Sequence, residues 1–216
     1  MRIEKIEGFG SISGGDYDRV EIEGIGKIRG DIKAGSIFIE GVSKCLGTIV
    51  TEEFTCSGIA QLSKSIRAKH VRIEGIVKQT KAKMEADDIY CEGILLTNGE
   101  ISADSIEVDG CISAPEVYGD RIKIVHCFRE KGYFSIPNFS GVFGGRRIEK
   151  DYSTVDVMEA TNIELYGVKA DSVSGNIVVL GPGCDIKHVE CDGTLRIHPG
   201  AKVGKISGVI PIPWEN

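Results

Sequence analysis

Apolar and polar positions alternate along this chain in a five-residue phrase that keeps returning: apolar, polar, apolar, polar or acidic, glycine. It reads Val20-Glu-Ile-Glu-Gly24, Ile37-Phe-Ile-Glu-Gly41, Phe54-Thr-Cys-Ser-Gly58, Val71-Arg-Ile-Glu-Gly75, Ile89-Tyr-Cys-Glu-Gly93 and Ile106-Glu-Val-Asp-Gly110. The glycines recur at one constant interval, except that the interval from Gly75 to Gly93 is a single residue longer. An alternation of period two is that of a half-buried strand. A unit of this length cannot enclose a core alone, so successive units must stack.

With the glycine as position zero, the apolar residues at −4 and −2 are the inward pair. Position +1 is again apolar: Ile25, Val42, Ile59, Ile76, Ile94 and Cys111. After this inward slot a further one falls at +8 (Ile32, Ile49, Ile66, Ile101) and slips to +9 at Met84, which accounts for the one longer interval. Small residues follow two positions later: Ala34, Thr51, Ala68, Ala86 and Ala103. Three short apolar stretches per repeat predict a three-sided parallel β-helix of about 17 residues per turn. Glycine at the corner implies either positive φ or close backbone approach. No stretch reads as a sustained helix.

The pattern divides the chain into three parts. Residues 1–128 carry the regular repeats, closing on Ile122-Lys-Ile124-Val-His126 with His126 in the glycine slot. Residues 129–157 read as an insertion with Tyr133, Phe134, Phe139 and Phe143, then Arg146 and Arg147. Residues 158–216 resume less regularly, at Met158-Glu-Ala160, Ile177-Val-Val179-Leu-Gly181 and Val189-Glu-Cys191-Asp-Gly193, and end in a C-terminal cap.

Composition agrees. Of 216 residues 28 are glycine, nearly double the usual ~7%, and they fall at corners rather than in linkers. A net charge of −6 argues against nucleic acid, which requires a basic stripe. No apolar run approaches the ~18 residues of a membrane helix, and the first residues lack a signal-peptide core. A cytoplasmic protein without direct membrane insertion is expected. The seven cysteines have irregular spacing and no Cys-x-x-Cys. Cys56, Cys91 and Cys191 fit the inward slot at −2, so they are expected as reduced core residues.

Chemical signals are sparse. The −1 acids (Glu23, Glu40, Glu74, Glu92, Asp109) predict a solvated edge. Cys184, His188, Cys191 and His198 have no standard zinc spacing. Leu195-Arg-Ile-His-Pro-Gly-Ala-Lys-Val-Gly204 resembles the hexapeptide repeat of left-handed β-helix acyltransferases, but barely two units of it occur. Gly141-Val-Phe-Gly-Gly-Arg-Arg147 lacks the lysine and helix of a phosphate loop. No catalytic residue, metal or cofactor is expected.

The glycine-cornered repeats, the interrupted middle, Phe143-Gly-Gly-Arg-Arg-Ile-Glu-Lys, Ala160-Thr-Asn-Ile-Glu-Leu and Leu180-Gly-Pro-Gly-Cys-Asp-Ile-Lys-His-Val-Glu together resemble the bactofilins, particularly the longer members from Gram-positive bacteria. The resemblance implies a right-handed β-helix that polymerises end to end without nucleotide, a cytoskeletal scaffold near cell-envelope or cell-wall proteins. The family's proline-rich tails and apolar N-terminal tag are missing here.

Solenoid ends carry open strand edges that can template another copy. The residues expected at the joints are Ile3, Ile6 and Phe9 at one end, with Val209, Ile210, Ile212 and Trp214 at the other. Pro211 and Pro213 cannot donate ladder hydrogen bonds, so that tail is expected either to cap its own chain or to join a neighbour. Phe139, Phe143, Arg146 and Arg147 are the expected partner-docking residues of the insertion. The competing expectations are a hexapeptide-type acyltransferase and a monomeric β-helical adaptor.

Overall fold

Every ladder in the computed structural model is parallel, and each strand between the terminal coils pairs with its equivalent one turn earlier and one turn later. The structure describes residues 2–80, 82–126 and 152–214. Early strands are β1 (Ile3–Ile6), β2 (Phe9–Ile12), β3 (Gly15–Ile22), β4 (Ile25–Ile28), β5 (Ile32–Ile39) and β6 (Val42–Cys45). Then come β7 (Ile49–Cys56), β8 (Ile59–Leu62), β9 (Ile66–Arg67), β10 (His70–Ile73), β11 (Ile76–Gln79), β12 (Met84–Cys91) and β13 (Ile94–Thr97). The later strands run around corners: β14 (Glu100–His126), β15 (Ser153–Tyr166), β16 (Val168–Leu180), β17 (Asp185–Ile197) and β18 (Lys202–Gly208). The fold is an all-β parallel solenoid of about 11 turns of about 17 residues. At a strand spacing of ~4.8 Å the column is about 50 Å long.

Register follows the repeat. Val20 pairs Ile37, Ile37 pairs Phe54, and Val71 pairs both Phe54 and Ile89. The step from β7 to β10 matches the earlier ones, whereas the step from β10 to β12 takes in one more residue, as Met84 implied. Three faces result, each a stack of short strands. The first face runs through β1, Arg19–Ile22 and β10. The second runs through β2, β4, β6, β8, β11 and β13. The third runs through Gly15–Tyr17, β9 and the start of β12. Like side chains stack into inward columns, so each fully buried Ile is worth about 1.5–3 kcal/mol of hydrophobic transfer. Val20, Ile37, Phe54, Val71, Ile89 and Ile106 form one such column, each at most 1% exposed.

The corner glycines are there for backbone approach, not for positive φ. A Cβ on Gly41 would lie 1.9 Å from the Gly24 carbonyl oxygen, and one on Gly58 or Gly75 2.0 Å from that of the preceding corner glycine. Coils stack so tightly at this corner that no side chain fits between them. The positive φ values belong to Gly15, Gly167, Gly183 and Gly208.

Three readings of the sequence are corrected. The +1 row is not inward: Ile25 and Val42 are 49% and 45% exposed, while +2 and +4 carry the core, as Ala60 and Leu62 do. Glycine at the corner lets the chain turn without reversing the alternation, so +1 points out. Next, Val178 and Leu180 are the inward pair, not Ile177 and Val179, because they pair Ile163 and Leu165. Finally, Cys191 is buried but pairs Gly175, placing it in the third-face column of small residues rather than two positions before a first-face corner.

Between β14 and β15 the register makes one long step, with Ile122 on Ile163 and Ile124 on Leu165. The columns continue in phase across this step. Strand β15 begins at Ser153, so 153–157 belong to the solenoid although the sequence pattern assigned them to the insertion. Residues 127–151 lie outside the described residues.

Candidate functional site: the ends of the solenoid

Strands β1 and β2 pair only with β3 and β4, leaving their other edges without a ladder among the described residues. The direction of their backbone groups follows from the bonds they do make. The Ile6 carbonyl accepts from Glu23 N–H at 2.9 Å, and the Ile12 carbonyl accepts from Arg29 N–H at 2.9 Å. Backbone groups alternate in direction along a strand, so those of Lys5 and Ser11 face the open edge.

Of the residues expected at this end, only Ile6 sits in an inward column, over Ile22. Ile3 is 50% exposed and Phe9 89% exposed, both pointing outward. Ile12, which the pattern did not single out, is the second core residue of the first coil, at 2% exposed.

Arg2 and Tyr17 were also missed. Tyr17 occupies the register position that Ala34 holds one coil later. With no coil beneath it among the described residues, its ring fills the gap, and the Arg2 guanidinium lies 4.0 Å from the ring centroid. Arg2 donates to the Tyr17 hydroxyl at 3.0 Å, that hydroxyl donates to the Ser13 carbonyl at 3.1 Å, and the Arg2 N–H donates to the Asp18 carboxylate. A bulky residue where every later repeat has a small one is the signal that could have revealed this plug.

At the other end β18 pairs, among the described residues, only with β17. Ile206 continues the column below Val189 and is 39% exposed, so the core is partly open there. The tail then turns onto the first face. Val209 N–H donates to the Cys191 carbonyl at 3.0 Å, and Ile212 N–H donates to the Leu195 carbonyl at 2.9 Å. Because Ile212 points at its own chain, the nitrogens of Pro211 and Pro213 fall on the open edge, where neither has a proton to donate. Trp214 meets His198 edge to face, with centroids 5.0 Å apart. The His198 Nδ1 accepts from Gly200 N–H at 2.9 Å. Trp214 therefore packs on its own chain, and Ile210 stands out at 88% exposed.

The cysteines and histidines of residues 184–198 do not converge on one point. Cys184 donates to the Leu165 carbonyl and Cys191 to that of Asn176, while His188 Nε2 lies 3.0 Å from Ser207 Oγ and His198 belongs to the terminal turn. Burial pushes the thiols of Cys45, Cys56 and Cys91 up to about 12 and that of Cys111 to about 11. These are core groups. Two shallow hollows flank the small-residue column, one of about 310 Å³ beside Ala86 and Ala103 and one of about 460 Å³ beside Ala160 and Gly175. Neither is lined by histidine or cysteine. The acidic row is laced rather than bare: Lys5 bridges Glu7 and Glu23 at 3.0 and 2.9 Å, and Arg72 bridges Glu74 at 2.8 Å. The Arg72 hydrogen bond, then that from Ser57, holds the Glu74 carboxyl below its usual range.

His126 fills a corner slot, its Nδ1 3.2 Å from the buried Ser153 hydroxyl, which also accepts the Ile112 N–H at 3.2 Å. The pair closes the column at the long step between β14 and β15. Phe139, Phe143, Arg146 and Arg147 lie outside the described residues.

No family model matches the chain, and no solved structure matches it. It is similar to an uncharacterized protein, YhbE, of Bacillus subtilis (strain 168), with 42% identity over 50 residues. Those residues are 23% of this chain and 21% of that protein, so the matched region spans about a fifth of the relative's length.

Proposed function

We propose that this protein is a non-enzymatic scaffold that assembles end to end, without nucleotide, in the manner of the bactofilins it resembles. One observation carries the reading: β1, β2 and β18 each pair on a single edge, so a column of parallel ladders presents strand edges at both termini. An edge with aligned donors and acceptors binds another edge by continuing the ladder. The Arg2–Tyr17 plug covers one corner of the first coil and leaves β1 and β2 open. At the far end the prolines weaken one face out of three. A cytoplasmic location and envelope proteins as partners belong to the same proposal.

Negative-stain electron microscopy in physiological salt without nucleotide tests it, with Ser11→Pro as the control. Ser11 is exposed, and its N–H faces the open edge, so proline there spares the internal ladder. Filaments in the wild type and discrete particles in the variant are expected. A monodisperse wild-type monomer at high concentration would overturn the reading and leave the monomeric adaptor in its place.

A further inference from the structure

The outward row that the sequence placed inside exposes apolar side chains on successive coils of the N-terminal half. Phe9 pairs Ile25, Ile25 pairs Val42, and Val42 pairs Ile59. The first three are 89%, 49% and 45% exposed. Exposure ends at Ile76, at 6%, so the open strip spans the first four coils.

Charge is arranged across this strip in a fixed order. The outward residues of the second coil read Glu23, Ile25, Lys27, and those of the third read Glu40, Val42, Lys44. In these two coils an acidic border runs along one side of the apolar row and a basic border along the other, and the row of Lys27 and Lys44 continues into the neutral Ser11 and Gln61 of the coils on either side. Lys27, Lys44 and Glu40 make no ion pair among the described residues.

Such a strip is self-complementary in one orientation only. Turning a second copy by half a revolution about an axis parallel to the column places its acidic border on the basic border of the first. Turning it about an axis across the column places acid on acid and base on base. We propose that a second copy of this chain docks here, face to face and parallel, with Phe9, Ile25 and Val42 against their symmetry mates and Glu23 and Glu40 opposite Lys27 and Lys44.

Four coils at ~4.8 Å give a strip only about 19 Å long, far short of the ~800 Å² per partner of a stable interface. Single molecules therefore stay apart. Columns joined end to end repeat the strip, and each added contact becomes effectively intramolecular. The pairing thus rests on the end-on assembly proposed above and explains how filaments would gain width.

Electron microscopy and pelleting compare the wild type with Ile25→Arg/Val42→Arg, both outward positions off the end strands that leave the inward columns intact. Double-width filaments in the wild type and single-width filaments of similar length in the variant support the inference. Single-width filaments in the wild type, or unchanged pairing in the variant, overturn it while leaving end-on assembly standing. Absence of any filament overturns the end-on reading instead, and the pairing with it. Orientation is read separately by oxidising a mixture of Glu23→Cys and Lys27→Cys proteins. Disulfide-linked heterodimers, with none from either protein alone, mark the parallel arrangement. Homodimers from each single variant mark the antiparallel one and refute the proposal.

Discussion

At the scale of single residues the corner glycine sets the limits. Gly58→Ala would place a methyl group 2.0 Å from the Gly41 carbonyl oxygen, where only backbone can yield. Thermal unfolding should show a loss of at least ~3 kcal/mol, in the range of severe packing changes. Gly8→Ala, with nothing within 4 Å of the new Cβ, should stay within ~0.5 kcal/mol. The cysteines set a second limit. Burial raises the folded thiols of Cys45, Cys56, Cys91 and Cys111 above the unfolded value, so their contribution to stability is complete below pH ~8.5 and is lost as pH rises toward their folded values. Each costs about 1.4 kcal/mol per pH unit in that window. Denaturant midpoints should fall steeply from pH 9 to 10, and the Cys45→Val/Cys56→Val protein should show a shallower fall. In the native state the six described thiols should react slowly with a thiol reagent at pH 8.

Elements were legible in proportion to how strictly they repeat. The first-face columns could be read directly, since the Val20 and Ile22 positions recur in phase for six turns. The second face was misread because apolar residues at +1 carry no sign of their direction. Only the backbone path through the corner decides whether Ile25 faces core or solvent, and no periodicity encodes that path. After β15 the turn shortens, so that Ile163 meets Val178 rather than Leu180, and this shifted the inward pair by one from the pattern expected. The candidate site was legible only in part: Ile6 and the two prolines could be placed, whereas Tyr17 and Arg2 act through the missing coil beneath them, a property of position in the stack. The tail offers a test at this scale. Pro211→Thr/Pro213→Thr restores two donors to the open edge of the first face, so light scattering should show faster assembly with little change in monomer stability. Slower assembly would mean that the tail takes part in the joint instead of limiting it.

The whole molecule is a stack in which each coil contacts only the coils before and after it. Stability in such a column is close to a sum of coil and interface contributions. Ile73→Ala, in the middle of a column, should cost about 2–5 kcal/mol. Unfolding should then separate into two transitions in calorimetry, because the weakened coil uncouples the halves. A single transition lowered as a block would mean that cooperativity extends across the full length. In the proposed assembly the same additivity lets ends and flank act separately: the ends would determine whether copies join in a line, and the strip on the second face whether lines adhere.

The phase-preserving step between Ile122 and Ile163 has a practical consequence. A register that resumes in phase after the long step makes that corner a socket, where the chain leaves the column and returns to it. A fluorescent protein spliced between His126 and Tyr152 should leave both halves of the ladder paired and both termini untouched. Fusions at either terminus would instead obstruct the edges on which the proposed assembly depends. The socket is thus the place from which to watch this protein in a living cell.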